Sequence, residues 1–527
     1  MIEDVSLRVP PAVAADMNQL KRFISTEKGI PFEEINDIKI VRRSIDARQK
    51  VIKINLGVRL ALGSDREIKP IYQPVVFKPV RKDAPSIIIV GAGPAGLFAA
   101  LKAIELGLRP IVLERGKDVD QRRRDLASIS RSGKINPESN YCYGEGGAGA
   151  YSDGKLFTRS KKRGNVSSIL QLLHQHGAND SILIDSHPHI GSDKLPNVIK
   201  NIRNCIIECG GEVLFDTRVT DLLIKDDTAI GVKTENDRIF YGPVVLATGH
   251  SARDIYRMLH NKDVTITAKP LAMGVRLEHP QELIDRLQYH SKEGRGKFLP
   301  AAEYNFVTQV DGRGVYSFCM CPGGVVVPAM SGENELVVNG MSASARSSQW
   351  ANSGMVVEIH PGDIPEYGDE PLAMLRLQED LEKRFFKEGG GEKLNAPAQR
   401  MKDFIQGIKS EDPLPRSSYP AGIHSDRIDL LLPEEISGRL KKGFLDFDRK
   451  CKGFLSNEAI LIGLESRTSS PVRIPRDKET LEHLDIKNLY PAGEGAGYAG
   501  GIVSAAIDGQ RCVEAYWNKI NHSQNIE

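Results

Sequence analysis

Apolar residues fall along the chain at spacings that change by region. Over residues 1–80, "VSLRV" alternates like a strand, and "AADMNQLKRFIS" spaces its apolar positions as an amphipathic helix. "DIKIVRRSI" and "KVIKINLGVRL" read as two further strands, so a small α+β unit is expected. "REIKPIYQPVVFKPVRKDAP" follows as an extended connector, because each proline biases its predecessor away from helix.

A different pattern opens at "SIIIVGAGPAGLFAALKAIELGLRPIVLERG". Ile87–Val90 is an unbroken apolar run, as in a strand buried on both faces of a parallel sheet. A helix is expected from Pro94 to Leu106 with Gly107 stopping it, and a second buried strand, Ile111–Leu113, ends at Glu114. This is a βαβ unit. "SDKLPNVIKNIRNCIIECGG" predicts a helix capped by Ser192 or Asp193, with Leu195, Val198, Ile199, Ile202 and Ile206 on its apolar face. Short strands are expected in "EVLFD", "RVTDLLIK", "IGVKT" and "RIFY", and then in "GPVVLATGH". Residues 261–460 hold strand-like stretches such as "AMGVRLEH", "VYSFCMC", "GGVVVPA" and "NELVVNG", and a helical "AMLRLQEDLEKRFFK", without a nucleotide signature. "NLYPAGEGAGYAGGIVSAAIDGQRCVEAYW" then returns to a buried strand, a glycine turn and a long helix. The expected layout is a small α+β domain over 1–80, a nucleotide-binding α/β domain over 81–260, an inserted α+β substrate or cap lobe over 261–460, and the return of the α/β domain over 461–527.

Composition changes this picture little. The 527 residues suffice for two or three domains, and 40% hydrophobic with 27% charged residues is ordinary for a soluble globular chain. Lysines and arginines number 71 against 69 acidic residues, and a net charge of +2 argues against global polyanion binding. The acids in "MIEDVSLRVPP" oppose a secretory signal, and no apolar run reaches the ~20 residues a bilayer span needs. Seven scattered cysteines suit a reducing compartment, so a cytoplasmic location without a membrane partner is expected.

Three segments spell G-x-G-x-x-G: Gly91–Gly93–Gly96, Gly144–Gly146–Gly149 and Gly495–Gly497–Gly500. The first follows a buried strand, opens a helix and has Glu114 at the end of the next strand, 18 residues after Gly96. There Gly91 permits the turn, Gly93 lets backbone approach a pyrophosphate, and Gly96 lets helix and strand pack closely. The second has neither strand before it nor helix after it, and reads as a ligand-contacting nest of amides. The third has a strand and a helix but no acidic partner strand, so it reads as a second helix N-terminus aimed at the same ligand.

These residues resemble a family. "VGAGPAGLFAA...VLER", "VVLATGH" and "NLYPAGEGAG" are similar to the three signatures of the glutathione-reductase-type FAD-binding superfamily, and imply a Rossmann-like FAD domain. More narrowly, "SIDAR", "GEGGAGAYSDGKL", "HPHIGSDKL", "GVRLEH", "FCMCPGGVVVPA" and "ESRTSSPVRI" resemble the FAD-dependent, or NAD-utilizing, dehydrogenases over nearly the whole chain. The resemblance implies non-covalently bound FAD. Gly91, Gly93, Pro94, Ala95 and Gly96 would cradle its pyrophosphate, Glu114 its adenosine ribose, and Val219 its adenine. Ala247, Thr248 and Gly249 would form a turn beside it, and Gly493, Glu494, Gly495, Gly497, Gly501 and Ile502 would line the ribityl and flavin end. Glu494 stands where many relatives have Asp. Arg115 and Arg122 are candidate pyrophosphate contacts. The loop with Gly146, Gly147, Ala148, Gly149, Ser152 and Asp153 is expected to wrap the flavin half, leaving Lys155 facing the reaction.

The substrate side is carried by fewer residues. Arg467 and Arg473, with Glu465, precede the last glycine motif, and their guanidinium forks suit an anionic substrate. Cys319 and Cys321 alternate at strand spacing, so both would face one side, as a redox pair or simply as buried thiols. Cys142 could link to a flavin, though nothing requires it. His187 and His189 flank a proline in a carboxylate-poor stretch, which disfavours a metal and leaves a base role open. The expected function is FAD-dependent hydride transfer with a small anionic substrate, or with NAD(P)H binding transiently at the flavin face. The alternative is a flavin-bound RNA-modifying or partner-binding protein, docking through residues 1–80 with "VRRSIDARQK". The basic "RSKKRGN" adds to it, but the absence of interleaved aromatics disfavours nucleic acid.

Overall fold

The computed structural model describes residues 1–64, 67–70, 72–158, 164–389, 391 and 394–524. Residues 159–163 of the basic "RSKKRGN" string lie outside them. The N-terminal unit is β1 (Ile2–Val9), α1 (Met17–Lys28), β2 (Ile35–Asp46) and β3 (Lys53–Leu62), with antiparallel order β1-β3-β2. Asp16 caps α1 by accepting from the Asn18 and Gln19 N–H groups. Alternate residues Ile54, Leu56, Val58 and Leu60 of β3 meet Leu20 and Ile24 of α1 in a core of their own. Arg43 ties the unit to the rest of the chain through a bidentate pair with Asp185, at 2.6 and 2.9 Å.

A five-stranded parallel sheet follows. It begins with β4 (Ser86–Val90), α2 (Pro94–Glu105) and β5 (Arg109–Leu113). Next come α3 (Val119–Ser132), α4 (Leu195–Glu208), β6 (Glu212–Leu214), the antiparallel strands β7 (Val219–Lys225), β8 (Thr228–Thr234) and β9 (Ile239–Tyr241), β10 (Val244–Leu246) and α5 (Arg253–Asn261). The expected cap of α4 is corrected. Lys194 occupies the cap position, and the Asp193 carboxylate instead accepts from Ser344 N and Oγ at 2.7 and 2.8 Å.

The second lobe is a seven-stranded mixed sheet. Its strands are β11 (Leu271–Pro280), β12 (Val307–Val310), β13 (Arg313–Cys321), β14 (Trp350–Ile359), β15 (Ala396–Arg400), β16 (Ile423–Ser425) and β17 (Ile460–Glu465), in the order β12-β13-β14-β11-β17-β15-β16. α6 (Ala373–Glu388) packs against it. β17 therefore pairs inside this sheet, and the chain re-enters the parallel sheet only at β18 (Leu489–Pro491), which pairs with β10. α7 (Ile502–Gln524) closes the fold over α2. Among the described residues, no helix is long and apolar enough to cross a membrane.

Candidate functional site

Val90, Leu113, Ala247 and Ala492 end or directly follow parallel strands, and all four open on one cleft of about 420 Å³. A crevice beyond the carboxyl ends of parallel strands is where such sheets bind ligands. Gly91, at φ +104°, turns the chain there, and a Cβ on it would lie 2.5 Å from the Ala247 carbonyl. Gly96 lies beneath the cleft, not on its wall; its Cβ would fall 1.9 Å from Gly91 O, which is the close helix–turn contact expected of it. Gly93 faces open space, for the nearest atom to its Cβ would be Gly147 Cα at 3.9 Å. Gly93 is also the N-cap of α2 and brings no capping side chain, with Pro94 opening the helix. The first amides of α2 thus keep donors and positive dipole for an anion. Gly500, Gly501 and Ile502 bring the start of α7 to the same cleft. Gly509 permits this by letting α7 approach the α2 backbone, its Cβ position being 2.0 Å from Ala95 O.

The middle glycine motif joins the other two. Gly147 packs against Gly93, its Cβ position 3.2 Å from Gly93 Cα, and Gly149 packs against Ile502 at the same separation from Cγ1. Gly144, Ala148, Ser152, Asp153 and Lys155 also line the cleft. Gly146 instead backs onto Ile199. Glu114 is buried at the junction: Oε2 accepts from Ala92 N at 2.8 Å, and Oε1 from Gly116 N and Gly144 N at 2.9 and 3.0 Å. A carboxylate offers about four acceptor positions, so Oε2 retains capacity for a ligand hydroxyl. Val219 and the Thr248–Gly249 turn lie along the wall, with Gly495 packed behind that turn.

Two arginines take other roles than the sequence predicts. Arg122 is fully buried and donates to the carbonyls of Asn140, Tyr141, Gly144, Glu145 and Gly147, so it braces the loop from behind and does not line the cleft. Arg115 reaches the cleft edge, but its guanidinium pairs with Glu138 and Asp254 and stacks over Tyr143 at 4.1 Å. The sequence offers both as pyrophosphate contacts, and both instead find carbonyls or carboxylates distant in sequence.

The substrate candidates separate in the same way. Arg467 lines the cleft, yet its nitrogens already bond Glu382, Glu335, Ser331, Ser251 and the Cys142 sulfur. Arg473 lies off the cleft, donating to Gly497 O and stacking 5.1 Å from Tyr498. Gly497 itself abuts Lys269 and Arg473. Lys155 remains, its Nζ 3.8 Å from Glu303 Oε2. Glu303 also bonds His187 Nδ1 at 2.5 Å and lies 4.0 Å from Arg346, which pairs with Asp153. Burial raises the Glu303 pKa, but His187, Lys155 and Arg346 together outweigh it and hold the carboxyl near about 2. His189 bonds the Ser344 carbonyl at 3.2 Å, and burial lowers its pKa. Glu494 lines the cleft near Lys269; burial pushes it up to about 8, against the pull of that lysine. Burial likewise drives His250, beside Thr248, down to about 3. Glu303, Arg346 and His250 carry no motif; only the position of His250 after the Thr-Gly turn could have marked it.

Residues 270–468, which contain most of the second lobe, match a family model described as "FAD-dependent protein, C-terminal domain-like". Residues 1–61 match one described as "Domain of unknown function (DUF8436)". An uncharacterized protein of Clostridium beijerinckii is 42% identical over 518 residues, covering 95% of this chain and 96% of the relative. Prolycopene isomerase 1 of an Oncidium hybrid cultivar is 26% identical over 104 residues, 19% of this chain and 18% of its own. Among solved structures, a geranylgeranyl bacteriochlorophyll reductase-like protein of Thermoplasma acidophilum aligns with 84% of this chain and 80% of its own, at 12% identity and TM-score 0.35. A flavocytochrome c3 fumarate reductase aligns with 83% and 78%, at 12% identity and TM-score 0.31.

Proposed function

The chain belongs to the family of the Clostridium beijerinckii protein, which it matches end to end, and from that premise we propose that it is an FAD-dependent oxidoreductase. The observation that carries the reading is the uncapped N-terminus of α2 behind Gly93, whose missing side chain leaves the first amides of the helix open to the cleft. In this reading the pyrophosphate lies over Gly91, Gly93 and Ala95, and Glu114 Oε2 accepts from the adenosine ribose. Val219 lies beside the adenine, and Gly493, Glu494 and Ile502 lie beside the ribityl and flavin end. FAD would supply two-electron hydride chemistry. The chain would orient a small anionic substrate through Lys155, because the guanidinium of Arg467 is committed within the protein. Glu303 stays ionised beside Lys155 and positions its ammonium.

The test is FAD uptake by purified protein, read as flavin absorbance and as bleaching by candidate reductants, NAD(P)H among them, without oxygen. We expect one FAD per chain. Gly93→Ala should melt like the wild-type apoprotein, since φ at this position is −77° and its Cβ meets open space, yet bind FAD at least about tenfold more weakly. Unchanged FAD affinity in Gly93→Ala would overturn the reading.

A further inference from the structure

Cys319 lies on the lobe wall of the cleft with Cys321 buried behind it, outside the chemistry above. In a regular strand, residues two apart are separated by about 6.7 Å along the chain, too far for a disulfide, whose Cβ atoms lie about 3.8 Å apart. β13 is not regular here. Its pairing with β14 shifts between Phe318 and Cys321, so one extra residue is accommodated, and Cys319 takes a left-handed φ of +44°. A non-glycine residue held in that region is uncommon and marks a backbone fixed by its surroundings. The surroundings are visible. Arg276, fully buried in β11, donates through Nη2 to Cys319 O at 2.8 Å and to Cys321 Sγ at 3.3 Å, while its Nη1 pairs with Glu465 at 3.0 Å. The bulge turns Cys321 back onto its neighbour, and its Sγ donates to the Cys319 carbonyl at 3.3 Å. Cys319 reaches the cleft that Lys155 also lines, whereas Cys321 is wholly buried. The neighbouring Cys321 first, then Arg276 and Lys155, lower the Cys319 thiol to about 6, and Cys321 is driven up. One accessible thiolate beside a protonated, buried partner is the arrangement of an attacking and a resolving cysteine.

We infer that Cys319 and Cys321 form a redox-active dithiol that closes to a disulfide and exchanges two electrons with the bound flavin; the electron exchange rests on the FAD reading above. On closure the Cys319 thiolate and the Cys321 thiol lose one proton and two electrons as the Sγ–Sγ bond forms. The electron pair and that proton would pass to oxidised FAD, giving its anionic two-electron-reduced form. The reverse opens the disulfide at the expense of reduced FAD.

Two measurements on the full-length protein separate the parts. In the first, apoprotein is treated with the thiol oxidant diamide, alkylated and digested. Both cysteines fall in the tryptic peptide 314–346. The expected result is that this peptide carries no alkyl group and is about 2 Da lighter than its reduced form. A doubly alkylated peptide after diamide would overturn the inference, with no dependence on FAD. In the second, oxidised FAD-loaded protein is titrated anaerobically with dithionite. The wild type should take up about four electrons per FAD, and Cys319→Ser and Cys321→Ala about two each. A wild-type uptake of about two electrons, with FAD bound, would overturn the electron exchange. Absence of FAD binding in that same sample would instead overturn the proposed function.

Discussion

Glu494 and Glu303 are carboxylic acids at one cleft, and their neighbours drive them in opposite directions. Glu303 faces three cationic groups and stays ionised; Glu494 is held neutral by burial, with an ionisation near about 8. The folded-state value of Glu494 lies above the ordinary 4.5, so its contribution to stability is complete below about 4.5 and is lost as pH rises through about 8. A negative charge then also appears, in the proposed reading, at the ribityl and flavin end of an already dianionic cofactor. FAD affinity should therefore be roughly tenfold lower at pH 9 than at pH 7, and Glu494→Gln should flatten that dependence. Fluorescence titration at several pH values checks it, and a wild type with flat affinity would contradict it. At this scale Gly91, Gly93, Gly96 and Glu114 were legible, because a turn, a close approach and a strand end are local events with fixed spacing. Arg122, Arg115 and Arg467 were not. A guanidinium shows its charge in sequence, but its partners stand up to 139 residues away for Arg115 and 325 for Arg467.

Among the elements, the loop from Asn140 to Lys155 depends most on a helix outside it. Its own regular hydrogen bonding is one short 3-10 turn at Gly147–Gly149, and Arg122 on α3 adds donors to five of its carbonyls. Lysine at that position would keep the charge but not the planar fork, leaving several buried carbonyls unpaired. Arg122→Lys should cost about 2–4 kcal/mol in denaturant unfolding. It should also raise proteolytic cleavage within 140–155, with cleavage elsewhere little changed. The sequence sets this loop apart from the nucleotide fingerprint by its lack of a flanking strand and helix, and the structure places neither there. Its convergence with the other two motifs was an expectation that only packing could supply, through Gly93 on Gly147 and Ile502 on Gly149. β14 went unread for a related reason. Its start, "WANSG", has no alternation because the strand is central and buried on both faces.

At the scale of the whole molecule, one buried ionic network joins the parallel-sheet region to the second lobe. Arg253 at the start of α5 bonds Glu335, Gln378 and Glu382, and Glu382 on α6 also holds Arg467 and Ser466. Burial raises Glu382, but Arg253 and Arg467 more than compensate and set it near about 2. Its contribution to stability is thus present above the ordinary value of 4.5 and lost as pH falls toward about 2. Removing one member of such a network leaves uncompensated charge in the interior. Glu382→Gln should lower unfolding free energy by about 3–5 kcal/mol at neutral pH, with a smaller difference in acid. The sequence by itself determined the α/β class, the βαβ opening and the glycine turn behind Gly93, because hydrophobic period and backbone freedom are properties of short segments. The tertiary structure alone decided which charges are spent on the fold and which face the cleft. It also decided that a one-residue bulge brings the Cys321 sulfur onto the Cys319 carbonyl. Ion pairing and register depend on what the rest of the chain packs against each residue, and no local pattern records that.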